Sequence, residues 1–124
     1  MSATRIGVTG IVIGAAIAAA AGFLRAQPRA EMQRIPQFDN TRAVAWRSVI
    51  PAGTESTLHR HDRQRVIVAI VGGDLKTVTA SGETTVSHYV TGNAYLQEPM
   101  PAGVMHKDVN DTGRTIDLVV IELK

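Results

Sequence analysis

After residue 40 the chain is cut by turn residues at intervals of roughly ten positions, and no long segment with a helical 3.6-residue period lies between the cuts. Pro51-Ala52-Gly53, Gly72-Gly73, Ser81-Gly82, Gly92-Asn93 and Asp111-Thr112-Gly113 supply the residues that tight turns need. The stretches they bound are rich in β-branched and aromatic side chains: Thr41 to Ile50, Arg65 to Val71, Leu75 to Thr79, Thr84 to Val90, Val104 to Asn110 and Thr115 to Leu123. This rhythm predicts an all-β sandwich or barrel of short strands. The chain has no cysteine, so no disulfide staples the fold and it must stand on its core.

The N-terminus follows different rules. Arg5 precedes an uncharged run from Ile6 to Leu24, and Ala19-Ala20-Ala21 or Leu24-Arg25-Ala26 offers small residues for cleavage. This is the anatomy of a secretory signal, and it predicts an exported protein, periplasmic or secreted. The alternative is an uncleaved membrane anchor at residues 6–24, a run that approaches the roughly 20 residues needed to span a bilayer. No cysteine lies near it to accept a lipid, and no twin arginine precedes it. Residues 1–26 are therefore assigned as signal peptide or anchor. Residues 27–40, with Pro28, Pro36 and few apolar positions, read as a linker or an arm laid over the barrel, and 41–124 as the barrel. The 98 residues from Gln27 onward suffice for one domain. A domain of this size gains from pairing with a second copy, so a homodimer is expected.

Charge excludes one class of partner. The chain carries 13 Lys+Arg against 11 Asp+Glu, and removing Arg5 and Arg25 with the N-terminal segment leaves 11 of each. A near-neutral domain without a long basic run or an aromatic-interleaved stripe gives no footprint for nucleic acid. Any contact with membrane is through the N-terminal segment alone. Arg60, Arg63 and Arg65 form the one basic cluster, with Asp62 as a surface partner.

On a strand, residues two apart face the same way, so His59 and His61 can offer two imidazoles to one ion. His106, reached 45 residues after His61 through the turn Pro101-Ala102-Gly103, can supply a third nitrogen. Three neutral imidazoles with open positions suit a divalent transition metal: zinc, iron, manganese, nickel or copper. The alternative is that the histidines line the interior as hydrogen-bonded polar residues. His88 lies outside this constellation and reads as an ordinary strand histidine.

The spacing extends further. Gly53, five residues, His59, one residue, His61, three residues, Arg65, six residues and Gly72 form one run. Pro101, one residue, Gly103, two residues, His106, three residues and Asn110 form a second. Together they resemble the two motifs of the RmlC-like cupin superfamily, over roughly Val44 to Lys124. The His-Arg-His-Asp-Arg start is most similar to short single-domain cupins, a group that includes a protein associated with β-alanine degradation. The resemblance implies a double-stranded β-helix, a jelly-roll barrel, with His59, His61 and His106 as metal ligands. Two departures stand out: Arg65 occupies a position where many cupins carry a glutamate ligand, and Glu98-Pro99-Met100-Pro101 looks like a short insertion at the barrel mouth.

A guanidinium near three imidazoles opposes cation binding and cannot lose its proton, but its planar fork of donors suits a carboxylate or phosphate. Arg65 is thus a candidate substrate-binding residue. Gln64, Glu98 and Met105 are candidate pocket residues, with Trp46, Tyr95 and Met100 as further pocket or core positions. Gly53, Gly72, Pro101, Gly103 and Asn110 are assigned structural roles, Pro101 and Gly103 shaping the turn that aims His106. No nucleophile with a base and orienter, no phosphate loop and no redox cysteine motif is present. Two function classes remain: a metal-dependent enzyme of dioxygenase or isomerase type acting on a small polar molecule, or a metal-free module that binds a small anion through Arg65.

Overall fold

The computed structural model describes residues 30–124; the signal or anchor expected at residues 1–26 lies outside them. Nine strands follow in order: β1 (Gln33–Asp39), β2 (Ala43–Ile50), β3 (Thr54–Glu55), β4 (Arg65–Val71), β5 (Gly73–Thr79), β6 (Thr84–Tyr89), β7 (Ala94–Gln97), β8 (His106–Asn110) and β9 (Ile116–Leu123). Among the described residues there is no helix. The strands form two antiparallel sheets, one in the order β1-β2-β9-β4-β7 and the other β3-β8-β5-β6. This is the double-sheet arrangement of a jelly roll, and each of the six strands expected from the turn rhythm is present.

Three strands were not anticipated. Residues 33–39, within the segment read as linker or arm, are hydrogen-bonded to β2 as the sheet's edge strand. Proline cannot donate to a ladder, and Pro36 is tolerated because β1 lies at the edge and its register shifts between Pro36 and Phe38. β7 has only four residues and is recognisable by its pairing with β4, and β3 has two.

Alternation along the strands decides what faces inward. β4 buries Arg65, Ile67 and Ala69 and leaves Val66 and Val68 half-buried. On β9, Ile116, Leu118 and Val120 turn inward; on β2, Trp46, Ser48 and Ile50. The inward residues also change character along each strand. Register pairs Arg65 with Glu122 and Thr79 with His106 at one end, and Ala69 with Leu118 nearer the other. The second end is closed by Ile50, Ala69, Leu75, Tyr89, Ile116 and Leu118. Each large aliphatic side chain buried there contributes about 1.5–3 kcal/mol, so the apolar end carries the stability. The polar end is left open.

Two positions fix the turns at this framework. A Cβ on Gly72 would lie 2.1 Å from the carbonyl oxygen of Tyr89, so the β4–β5 connection admits no side chain there. Gly103 has φ +75°, a left-handed conformation suited to glycine, in the turn closed by the Val104 N–H and the Pro101 carbonyl at 3.2 Å. Asn110 is fully buried. Its amide donates to the carbonyls of Ile50 and Arg114, both at 2.8 Å, and its oxygen accepts from the Thr112 N–H at 3.1 Å. The backbone oxygen of Asn110 also accepts from the Gly53 N–H at 2.8 Å.

Replacing Asn110 with Ala strands the buried Ile50 carbonyl, removes the bond to the part-buried Arg114 carbonyl and opens a cavity. The expected cost is about 2–4 kcal/mol, read as a thermal midpoint lower by roughly 10–20 °C in calorimetry.

Candidate metal and anion site

The two histidine-bearing segments are fastened to each other by backbone bonds. The N–H of His59 donates to the His106 carbonyl and the N–H of His106 to the His59 carbonyl, both at 2.8 Å. His61 is held separately: its carbonyl accepts from the Met100 N–H at 2.9 Å, and its own N–H points at the Met100 sulfur at 3.4 Å. His59 and His61 therefore do not sit on a regular strand, as the sequence suggested, but on the connection between β3 and β4, anchored through one isolated bridge. Arg60, between them, turns the other way. Its guanidinium donates to the carbonyls of Pro101 at 3.1 Å and Val104 at 2.7 Å, and its Nε to Asp62 at 2.8 Å. Arg60 thus clamps the turn that carries His106.

The three imidazoles converge edge to face, with ring centroids 4.8 Å apart for His59–His61, 4.8 Å for His59–His106 and 5.5 Å for His61–His106. One nitrogen from each lies within 4.8 Å of the others. Modest ring rotation brings them to the roughly 3.3 Å that separates ligands about 2.05 Å from a common tetrahedral ion. The Nδ1 of His59 donates to the Thr57 carbonyl at 2.9 Å, which leaves a lone pair on Nε2 of the neutral ring. The Nε2 of His106 is buried without a hydrogen-bond partner. Desolvation, with help from Arg65, the other two histidines and Arg34, lowers the His61 pKa to about 3. Burial also lowers that of His106, with Asp108 opposing. Both shifts favour the neutral ring at His61 and His106, the form that binds metals. A buried nitrogen without a partner, a fixed tautomer and three converging rings fit a divalent transition ion.

Arg65 faces the same space. It is 8% exposed, its Nε has no partner, and desolvation lowers its pKa from the usual arginine value. The interior forms a cavity of about 700 Å³ lined by the three histidines, Arg65, Trp46 and Thr77, among others. Glu98, Pro99, Met100 and Pro101, the segment read as an insertion at the mouth, also line it. Two candidate pocket residues do not. Gln64 precedes the inward Arg65 and turns out, donating to Glu98 at 3.0 Å; Met105 precedes the inward His106 and is 38% exposed outside the cavity. Tyr95 lies outside the lining, its hydroxyl accepting from the Val90 N–H at 2.8 Å. His88 is exposed and paired with Asp74 at 2.7 Å.

Two charged lining residues escaped the sequence reading. Asp108, two positions after His106, enters the cavity beside it, and the strand pattern of β8 could have revealed it. Arg34 on β1 stacks on Trp46, its guanidinium carbon 3.7 Å from the ring centroid, and also lines the cavity. Nothing in a segment taken for a linker marked it.

No protein-family model matches the chain. It is 30% identical over 94 residues to the β-alanine degradation protein BauB of Pseudomonas aeruginosa, covering 74% of this chain and 95% of that one. A cupin domain from Bordetella pertussis Tohama I superposes with a TM-score of 0.67 at 28% identity, covering 80% of this chain and 99% of that chain. The chain belongs to the cupin superfamily. An RmlC-like cupin with a double-stranded β-helix fold from Methanocaldococcus jannaschii, 12% identical, shares the fold at a TM-score of 0.58, covering 78% of this chain and 84% of that one.

Within this cupin the neutral histidines have a cost at low pH. A histidine whose folded pKa lies below its unfolded value binds fewer protons when folded, so the folded state loses stability as pH falls from about 6.5 toward 3. In metal-free protein the thermal midpoint is expected to drop between pH 7 and 4. His61→Gln should flatten that drop, as measured by calorimetry across the range.

Proposed function

We propose that this cupin binds a divalent transition metal through His59, His61 and His106 and a small carboxylic acid through Arg65, and that it acts on the acid held between them. One observation carries the reading: two buried nitrogens without partners, Nε2 of His106 and Nε of Arg65, share one cavity. The first calls for an electron-pair acceptor and the second for an anion. A metal bound here supplies Lewis-acid polarisation of a substrate oxygen. The chain's own contribution is positional. Arg65 presents a donor fork that orients a carboxylate, the apolar end of the barrel limits the ligand's length, and Glu98, Pro99 and Met100 narrow the entrance. The name of the Pseudomonas relative supports a short acid, since β-alanine is one.

A second reading is favoured by a specific feature. Arg34 and Arg65 both lower the His61 pKa, so the potential at His61 opposes a cation and suits an anion. Export belongs to the first proposal and is supported by the pattern of residues 1–26. Self-association is supported by β1, an edge strand whose residues are all exposed, Phe38 among them.

The test is elemental analysis of tag-free protein, with add-back of zinc, manganese, nickel and ferrous iron, followed by calorimetric titration with β-alanine and other three- and four-carbon acids. About one equivalent of metal, lost in the His59/His61/His106 triple-alanine variant, is expected. Arg65→Gln should weaken acid binding by about 10–100-fold while the metal is retained. Full metal in the triple variant would remove the histidine site. Acid binding without any metal would establish the second reading.

A further inference from the structure

The two sheets of the barrel do not present the same outside. On the sheet β3-β8-β5-β6, outward side chains carry charge and pair with one another: Lys107 with Glu55 at 3.1 Å, His88 with Asp74 at 2.7 Å, and Lys76 with Asp111. On the sheet β1-β2-β9-β4-β7 they are apolar. Trp46, Leu118, Ile67 and Gln97 face the cavity, so alternation turns their strand neighbours out. Register then lines up Phe38, Ala45, Ile121, Val66 and Leu96 in one row that crosses all five strands. The next row, Ile35, Arg47, Val119, Val68 and Ala94, has one polar member.

An antiparallel strand with one wet face alternates apolar and polar residues, whereas a strand covered on both faces reads as a continuous apolar run. The central strands of this sheet are of the second kind: β4 is apolar without a break from Val66 to Val71, and β9 from Leu118 to Ile121. Yet among the described residues no element covers the outer face, and Phe38 and Leu96 at its two edges are 49% and 60% exposed.

The size and charge of the face say what fits it. Five strands about 4.8 Å apart, and the rise from Asp117 to Leu123 along β9, span roughly 20 Å by 20 Å. A footprint of about 400 Å² in projection is large for the apolar patch of a lone domain, and with the flanks of its protruding side chains it approaches the roughly 800 Å² that each partner gives to a standard interface. An ionic partner finds nothing to bind. Arg47 donates through Nε to the buried Asp117 at 2.8 Å, so the one guanidinium in these rows is neutralised within its own chain. A two-fold axis sets a patch against its own image, and a face without net charge meets that image without repulsion.

We infer that the outer face of β1-β2-β9-β4-β7 is the surface on which a second copy of this chain docks, sheet against sheet, with Val66, Val68, Val119 and Ile121 at the centre. The inference rests on the self-association proposed above, names its surface, and is independent of the metal and acid readings. The cavity opens at the polar end of the strands rather than through a sheet, so this packing leaves both mouths free.

Sedimentation velocity of the full chain over a concentration series is expected to show a dimer. Leu96→Lys, at an exposed position that leaves the fold intact, and Val68→Lys, at the centre, place like charges in the contact. Each is expected to raise the dissociation constant at least about 100-fold, with melting of each variant confirming folding. Val86→Lys, on the outer face of β6 in the opposite sheet, should leave it unchanged. The chain has no cysteine, so Val86→Cys accepts a single spin label. In the inferred dimer the two labels lie on the outermost of four stacked sheets, about 30 Å or more apart. Labels closer than about 20 Å would put the contact on the β6 sheet and overturn the assignment. A dimer that both lysine variants leave intact overturns it as well, without touching self-association. A wild-type chain that stays monomeric overturns this inference and the self-association proposal together.

Discussion

Each strand of a closed double sheet divides its residues between an interior and an exterior, and the site depends on how this sequence uses the interior half. The inward positions run from apolar to polar along the strands: Ala69 to Arg65 on β4, Leu75 to Thr79 on β5, Leu118 to Glu122 on β9. Stability and chemistry are thereby separated along the barrel axis. The closed end excludes water through Ile50, Leu75, Ile116 and Leu118, while the open end accumulates polar groups that a uniformly packed core would not tolerate. Asn110 marks the border, since its fully buried carboxamide ties the end of β2 to the turn before β9.

The site also needs a second device, because two of its histidines lie off the regular strands. The reciprocal 2.8 Å bonds between His59 and His106 do for this connection what a ladder does for a strand. Arg60 adds two further bonds across the same junction, to Pro101 and Val104. The alternating His-Arg-His order thus serves two purposes. Its histidines face the cavity, and its arginine holds the opposite turn from behind, so that backbone bonding sets the approach of His59 to His106.

How much of this was legible in the sequence follows from the physics of each element. The six longer strands announce themselves because turn residues bound apolar, β-branched runs. β1 does not, because an edge strand needs no buried face and can carry Pro36 and mostly polar residues. The convergence of His59, His61 and His106 was expected from the resemblance of the two motifs to those of cupins, but their support was not, since an isolated bridge has no sequence signature. Gln64 and Met105 illustrate the reverse: each directly precedes an inward residue, and alternation sends it out. The same rule, applied to His106 and carried one step further along β8, reaches Asp108. Arg34 was beyond any such rule, because its place over Trp46 depends on a strand that the sequence did not declare.

Arg65 draws these strands of reasoning together. A buried guanidinium stays charged, and here Glu122, paired with it across the strands, makes no ion pair with it among the described residues. The barrel has therefore placed a buried Nε–H without a hydrogen-bond partner beside three imidazoles, an arrangement that costs stability in the empty protein. A ligand that brings a carboxylate to Arg65 relieves that cost only in the folded state, so binding and folding are linked through the same residue. A neutral molecule of equal size leaves the guanidinium desolvated and unpaired, a penalty of about 1–3 kcal/mol or more, and the acid preference proposed above rests on that difference at the first residue of β4.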